Sequence, residues 1–126
     1  MAKHILLVDD SAAVRKHLAA VLQGAGYQVT EAQNGIETLD KLKSGGFDLL
    51  ILDLQMPQMS GFEVLRIVKA GGVFKALPVL CITGVHKDLT DVHKLRELGA
   101  DGYIQKDTPA EDILFRIKKA IQPAAS

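Results

Sequence analysis

Disulfides, net charge and long hydrophobic runs are all missing from this chain, and each absence excludes a class of protein. A single cysteine, Cys81, rules out an internal disulfide and fits a reducing compartment. With 15 basic and 15 acidic residues, nothing draws the chain as a whole toward nucleic acid or an anionic membrane. Its apolar runs are far shorter than the ~20 residues of a membrane span. Because Lys3 and His4 lead directly into strand-like sequence, no signal peptide is expected. These features predict a cytoplasmic domain that contacts neither membrane nor nucleic acid.

The size and composition indicate one ordinary globular domain. The chain has 126 residues, of which 48% are hydrophobic and 24% are charged. A domain of this length buries roughly two-thirds of the surface of its unfolded chain, so it needs no disulfide or structural metal to fold. We predict one domain over residues 1–122, followed by a tail or linker stub at residues 123–126.

Strand-like and helix-like segments alternate along the chain. Strands are predicted at residues 5–8, 28–31, 49–53, 77–82 and 102–105, with a helix after each. The first, third and fourth are continuous apolar runs, which is typical of parallel strands covered on both faces. Repeated strand–helix units of this length predict an α/β fold, a doubly wound five-stranded parallel sheet with five helices and the flavodoxin-like order 2-1-3-4-5.

Local signals mark several helices. Ser11 is a candidate N-cap for helix one, and the sequence Thr108-Pro109-Ala110-Glu111 provides a cap, a first-turn proline and a capping-box glutamate for helix five. Helix two is predicted from Gly35 to Lys43. Its inward stripe is predicted to contain Ile36, Leu39 and Leu42.

Polar residues follow four of the predicted strands directly. Strand one ends in Asp9 and Asp10, strand three in Asp53, strand four in Thr83 and strand five in Lys106. In open parallel sheets, ligands bind at the carboxyl ends of the strands, near the point where strand order reverses. Three carboxylates, a hydroxyl and an ammonium are therefore predicted to converge on one rim.

Three carboxylates that lie close together repel one another. A pair of like charges at about 4 Å costs about 4 kcal/mol at an effective dielectric constant of 20, so a compensating cation is expected. An all-oxygen acidic site suits Mg²⁺, and a nearby lysine or hydroxyl can hold a phosphoryl oxygen. The set predicts phosphoryl chemistry in which a carboxylate is the nucleophile.

Five sequence elements carry a resemblance to a known family. The chain resembles, over essentially its whole length, the receiver domain of the response regulators of bacterial two-component signal transduction. The elements are Asp9-Asp10, Asp53-Leu-Gln-Met-Pro57, Ser60-Gly61, Thr83-Gly84 and Tyr103-Ile-Gln-Lys106.

The resemblance implies a phosphorelay role for Asp53. It would accept a phosphoryl group from a phosphohistidine on a sensor histidine kinase or a histidine phosphotransfer protein. Asp9 and Asp10 would hold Mg²⁺, together with Asp53 and the backbone carbonyl of Gln55. Lys106 would contact the phosphoryl group.

The resemblance also implies a switch. Thr83 would move toward the phosphoryl group and Tyr103 would swing inward, which would change the face made by helix four, strand five and helix five. That face would contact a downstream output protein, a tethered domain or a second copy of the chain. The protein would phosphorylate and dephosphorylate itself as a signalling switch, without turnover as an enzyme. One departure concerns the loop after Lys106, where the family usually has proline and this chain has Asp107.

Rival functions require features that this sequence lacks. A small phosphatase with an aspartyl nucleophile usually has a second acid two residues later, where this chain has Gln55. A flavin or nucleotide module needs a Gly- or Ser/Thr-rich loop after strand one, which here is acidic. A receiver used only as an unphosphorylated scaffold usually loses its acids, and all three are present. No basic stripe or helix-turn-helix segment suggests DNA binding.

Phe115 is the one individual feature of predicted helix five. At 100° per residue it falls opposite an inward stripe of Ile113, Ile117, Ala120 and Ile121. Exposed phenylalanines are not rare, so an ordinary surface residue and a contact residue for a dimer partner, kinase or tethered domain are both open.

Overall fold

The structure, a computed structural model, describes residues 3–56, 58–70, 74, 76–84 and 89–121. At residues 89–92 it describes the backbone only. Strands and helices alternate strictly through these residues. The ten elements are β1 (His4–Val8), α1 (Ala12–Gly24), β2 (Gln28–Ala32), α2 (Gly35–Leu42), β3 (Leu49–Asp53), α3 (Gly61–Ala70), β4 (Val79–Thr83), α4 (Leu89–Glu97), β5 (Gly102–Gln105) and α5 (Ala110–Ile121). The predicted tail at 123–126 lies outside the described residues.

The strands form one parallel sheet in the order β2-β1-β3-β4-β5. This confirms the predicted fold and strand order. Every residue of β3 and β4 is buried, as their continuous apolar sequences predicted. In the register, Val8 lies beside Leu52 and Asp53 beside Ile82, so the carboxyl ends of β1, β3 and β4 meet at one edge.

Two apolar layers cover the sheet. Alternate residues of β1 enter opposite layers, with Leu6 and Val8 on one side and Ile5 and Leu7 on the other. The first layer packs against α2, α3 and α4, and the second against α1 and α5. The single thiol, Cys81, is fully buried in the middle of β4, and burial raises its pKa to about 12.

Helix α1 begins as predicted, and helix α2 has a cap that the sequence reading did not identify. The Ser11 hydroxyl accepts a hydrogen bond from the Val14 backbone N–H at 3.3 Å. The cap of α2 is Asn34, whose Oδ1 accepts from the Glu37 N–H at 2.7 Å. Each cap satisfies a backbone donor that the first turn of a helix leaves without a partner.

The predicted inward position of Ile36 is wrong. Its side chain is 62% exposed, while Leu42 is buried and Leu39 is partly buried as predicted. The innermost position of the first turn belongs to Gly35, where an added Cβ would lie 2.8 Å from Cγ2 of Val64. Gly35 faces α3, and because successive residues of an α-helix are about 100° apart, the next residue, Ile36, faces outward.

The fourth strand begins later than the sequence suggested. We predicted residues 77–82, and the strand runs from Val79 to Thr83. Leu77 belongs to the preceding turn, where its N–H donates to the Phe74 carbonyl at 3.0 Å. Thr83 is therefore the last residue of the strand itself.

None of the described helices has the length and apolar character needed to cross a bilayer.

Candidate functional site

Asp53 is the last residue of β3 and is fully buried. Its Oδ1 accepts a hydrogen bond from the Gln55 backbone N–H at 3.1 Å, within the loop that follows the strand. The next residue, Leu54, stays tied to the sheet through its N–H, which donates to the Ile82 carbonyl at 3.0 Å. The buried strand thus delivers this carboxylate to the edge of the sheet in one fixed position.

Asp9 and Asp10 follow β1, immediately beside Asp53. Asp9 is fully buried, and its Oδ1 accepts from the Ser11 N–H at 2.9 Å. Asp10 is exposed. One carboxylate oxygen from each of the three aspartates lies within 4.8 Å of the others. The predicted convergence of three acids is therefore present in the structure.

Lys106 reaches the same place from the end of β5. Its backbone N–H donates to the Thr83 carbonyl at 2.8 Å. Its Nζ lies 3.0 Å from Asp9 Oδ2 and 3.3 Å from Asp53 Oδ2. Asp107, in place of the family's proline, therefore leaves the lysine within ion-pair distance of both buried carboxylates.

Burial and charge shift the acid–base properties of this cluster. Burial raises the pKa of Asp53 to about 6, the Gln55 N–H opposes the rise, Asp9 adds to it, and Lys106 lowers it. For Lys106, burial lowers the pKa, but the hydrogen bond and the charge of Asp9, with those of Asp53, outweigh it, so the net pKa is raised. At neutral pH the lysine is charged and Asp53 is mainly ionised, with its ionisation less favourable than in water.

The residues present fit a divalent cation. Among the described residues, the three carboxylates have one lysine in ion-pair contact, Lys106, which pairs with Asp9 and Asp53, so the ionised cluster carries excess negative charge. Asp9 Oδ2 is buried and pairs with the Lys106 ammonium at 3.0 Å, and the same ammonium lies 3.3 Å from Asp53 Oδ2. Since one ammonium is shared by two buried carboxylates, a cation bound to the carboxylate oxygens would offset the remaining negative charge. The oxygen donors match Mg²⁺.

Thr83 and Tyr103 lie on the two strands beyond Asp53. Thr83 is fully buried at the end of β4, one residue past Ile82, the register partner of Asp53. Tyr103 is half-buried on β5 opposite Cys81 and packs on the layer of the sheet that faces α4. Since Cys81 and Thr83 are two residues apart on one strand, Thr83 and Tyr103 lie on the same face of the sheet.

Two loop residues after β3 also belong to the site. Gln55 is exposed, and its N–H contacts Asp53, while its carbonyl stays a predicted metal ligand. At Gly61 an added Cβ would overlap the Asp53 carbonyl oxygen and lie 2.6 Å from Cα of Leu54. The Ser60-Gly61 pair was part of the family pattern, and the structure provides its physical reason: the start of α3 packs directly on the backbone of the site.

The sequence reading missed Arg15 and Glu31. The Arg15 Nη1 donates to the Asp9 carbonyl at 2.8 Å, and its Nε donates to Glu31 Oε1 at 2.9 Å. Arg15 lies one helical turn after the Ser11 cap, and that spacing could have indicated a side chain near the loop. The partner on β2 could not be found without the fold, because the two residues are 16 positions apart.

The arrangement combines the components of phosphoryl transfer to a carboxylate. Asp53 is a fixed carboxylate, an ammonium lies beside it, and two further acids provide oxygen ligands for a cation. A metal and a lysine at one carboxylate can together neutralise the charge of an incoming phosphoryl group.

Comparisons with known proteins point the same way. A family model described as response regulator receiver domain matches residues 5–118. The transcriptional regulatory protein ResD of Bacillus subtilis is 34% identical over 121 residues, covering 96% of this chain and 49% of the relative. The response regulator MprA of Mycobacterium bovis is 37% identical over 122 residues, covering 97% and 52%. This chain thus spans about half the length of these curated relatives.

Solved structures have the same fold. The chemotaxis protein CheY4 of Vibrio cholerae superposes with a TM-score of 0.89 at 32% identity, covering 95% of this chain and 99% of that one. A CheY-like response regulator receiver domain protein from Methanospirillum hungatei gives a TM-score of 0.88 at 30% identity, covering 96% and 94%.

Proposed function

This chain belongs to the response regulator receiver family of two-component systems, and from that membership we propose that Asp53 accepts a phosphoryl group from a phosphohistidine. The observation that carries the proposal is the placement of Asp53 between one ammonium, 3.3 Å from its Oδ2, and two further acids. We propose that Asp9, Asp10, Asp53 and the Gln55 carbonyl hold Mg²⁺, a role supported by three carboxylates whose oxygens lie within 4.8 Å of one another.

The proposed reaction moves the phosphoryl group from nitrogen to oxygen. A carboxylate oxygen of Asp53 forms a bond to phosphorus, the phosphorus–nitrogen bond breaks, and the imidazole of the donor leaves. Bound Mg²⁺ would neutralise phosphoryl oxygens during this transfer. Lys106 would hold another phosphoryl oxygen through its ammonium, and its raised pKa keeps it charged at neutral pH.

The acceptor has to be ionised to act as a nucleophile. With a pKa of about 6 in the absence of metal, Asp53 is mostly ionised above neutral pH. A cation on the same oxygens favours the ionised form further. The site is therefore suited to accept the phosphoryl group once metal is bound.

We propose that the phosphoryl group acts on Thr83 and Tyr103. Thr83 is buried on the strand next to Asp53, and Tyr103 shares its face of the sheet. A hydrogen bond from the Thr83 hydroxyl to the phosphoryl group would shift β4 locally, and half-buried Tyr103 could then turn inward. Such a shift biases a surface between two arrangements, and a partner reads the difference.

The proposed partners follow from the family and from one exposed surface. Receiver domains of response regulators interact with histidine kinases and output domains. For this chain we propose a histidine kinase or phosphotransfer protein as donor, and an output protein, a tethered domain or a second copy at the face of α4, β5 and α5. Phe115 supports that face, since it is 59% exposed and Lys119 Nζ lies 5.1 Å from its ring centroid. We propose a cytoplasmic signalling switch and no turnover enzyme.

The test is phosphoryl labelling of the intact chain. Incubation with Mg²⁺ and a small acyl phosphate should add the mass of one phosphoryl group, and the same treatment of Asp53→Asn should add none. Asp101→Asn is a matched control, since it removes a carboxylate at the other end of the sheet. Failure of the unaltered chain to label, under conditions that label a known receiver, would contradict the acceptor role. Labelling that persists in Asp53→Asn would contradict the choice of residue.

A further inference from the structure

Arg15 links the site to the neighbouring strand through two hydrogen bonds. Its Nη1 donates to the Asp9 carbonyl at 2.8 Å, and its Nε donates to Glu31 Oε1 at 2.9 Å. Only 13% of the arginine side chain is exposed. The guanidinium therefore fills one defined position between α1 and β2 and bridges a strand residue to a loop residue.

The oxygen that Arg15 contacts belongs to the peptide between Asp9 and Asp10. A peptide unit is planar, so a bond to its oxygen sets the direction in which the next residue leaves. The N–H of Asp9 donates to the Ala32 carbonyl at 3.2 Å, and Ala32 directly follows Glu31 in β2. Both polar backbone groups of Asp9 are thus tied to the end of β2, one directly and one through Arg15.

The three acids of the site differ in how they are held. Asp9 and Asp53 are buried, and each carboxylate accepts a backbone N–H. Asp10 is exposed, so burial does not fix it. The planar peptide whose oxygen accepts from Arg15 orients the Asp10 backbone.

We propose that Arg15, pinned by Glu31, is a positioning residue for the metal site. It orients the Asp9–Asp10 peptide so that the Asp10 carboxylate faces the position of the cation. This inference rests on the proposed Mg²⁺ site and adds to it two residues that touch neither metal nor phosphoryl group.

A positioning role and a simple charge effect predict opposite changes in Mg²⁺ affinity when Arg15 is removed. If Arg15 acted only as a positive charge near the site, its removal would lessen the repulsion of Mg²⁺ and tighten binding. If it positions Asp10, its removal loosens one ligand and weakens binding. The pairing of its charge with Glu31 at 2.9 Å favours the second outcome.

The experiment is a titration of the chain with Mg²⁺ in the absence of a phosphodonor. Binding is measured by calorimetry or by amide chemical shifts. Arg15→Gln should weaken Mg²⁺ binding roughly tenfold, as loss of a residue that orients a ligand commonly does. Arg15→Lys keeps the charge but cannot bridge both partners, so it should also weaken binding, and it decides the matter if Arg15→Gln fails to fold. Arg66→Gln is the matched control, because its pair with Glu63 at 3.7 Å is exposed on α3.

Variants of Glu31 provide a second test, in which Mg²⁺ affinity should change only if Arg15 loses the partner that holds it. Glu31→Gln retains an oxygen that can accept from Arg15, so it should bind Mg²⁺ nearly as the unaltered chain does, whereas Glu31→Ala should weaken binding. A pure charge effect would make these two variants equal. In the metal-free protein, the carbonyl carbon shift of Asp9 should change in Arg15→Gln and Glu31→Ala and stay near its original value in Glu31→Gln.

Equal or tighter Mg²⁺ binding by folded Arg15→Gln overturns the positioning role, and so does equal binding by the two Glu31 variants. If the unaltered chain itself fails to bind Mg²⁺, the proposed metal site is wrong and the inference is wrong with it. The two failures are distinguished by the behaviour of the unaltered chain.

Discussion

The two ends of the sheet use the same residue types with different results. At the amino ends of the strands, Asp48 Oδ2 accepts from the His4 N–H and Asp101 Oδ2 accepts from the Val79 N–H, each at 2.8 Å. Lys69 lies nearby, with its Nζ 2.5 Å from the Leu77 carbonyl and 3.7 Å from Asp101. At the carboxyl ends, Asp9, Asp53 and Lys106 form the other aspartate–lysine cluster.

The direction of the strands explains the difference. In a parallel sheet, the first residues present free N–H groups and the last residues present free carbonyls. An aspartate at the amino end therefore finds a donor in the strand itself. An aspartate at the carboxyl end faces other oxygens and depends on a loop N–H, a lysine or a metal. The comparison indicates that the amino-end cluster stabilises the fold, whereas the carboxyl-end cluster is compatible with a bound cation.

The largest expected contrast is between the two lysines. Lys106→Met should slow phosphoryl labelling on the order of 100-fold, because a charged donor at the transferred group is lost. Lys69→Met should leave labelling intact and lower the free energy of unfolding by about 2 kcal/mol, through loss of its bond to the Leu77 carbonyl. Time courses of labelling and urea unfolding of both variants measure the two effects. Similar labelling rates in the two variants would contradict the expectation that only the lysine at the carboxyl ends of the strands acts in phosphoryl transfer.

A second contrast concerns pH in the absence of metal. The folded pKa of Asp53 is about 6 and its ordinary value is 3.8, so the folded state binds more protons between these values. The free energy of unfolding should therefore fall as pH rises through this window, by about 3 kcal/mol from this group. In Asp53→Asn that part of the fall should disappear.

Urea unfolding of both proteins between pH 4 and pH 8 checks this expectation, with saturating Mg²⁺ as a second condition. The stability difference between Asp53→Asn and the unaltered chain should grow with rising pH and shrink when Mg²⁺ is added. A pH-independent difference would mean that burial does not destabilise the Asp53 charge.

The smallest effect is expected for a change away from both ends. Phe115→Ala removes an exposed ring on α5 and should leave both labelling and unfolding nearly unchanged. Its expected consequence is weaker self-association or partner binding, measured by sedimentation of the phosphorylated chain and by binding to a cognate kinase. If association is as strong as before, Phe115 is an ordinary surface residue.

The carboxyl-end site could be predicted from the sequence because its residues directly follow apolar runs. A buried strand has a recognisable pattern, and the next polar residue must emerge at its end, so Asp9, Asp53 and Thr83 followed from the fold class. The distances of Lys106 could not be predicted, since they depend on a loop that contains Asp107 where the family has proline.

Errors arose where packing between elements decides the outcome. Ile36 was assigned inward on periodicity, but the close approach of α2 at Gly35 turned it outward. The contact of Arg15 with Glu31 joins a helix to a strand, and a periodic pattern within either element contains no sign of it. The amino-end cluster was missed for the same reason, because its bonds join residues 22 and 44 positions apart.

The buried thiol of β4 has a practical consequence for kinetics. The Cys81 side chain is buried in the apolar layer between the sheet and helices α2, α3 and α4, and its raised pKa disfavours the reactive thiolate, so an alkylating reagent should reach it only when this layer opens. As the chain has one cysteine, each alkylated molecule records one such opening event. The rate at which the unaltered chain gains the mass of the alkylating reagent therefore measures how often the helices separate from the sheet, without an added probe.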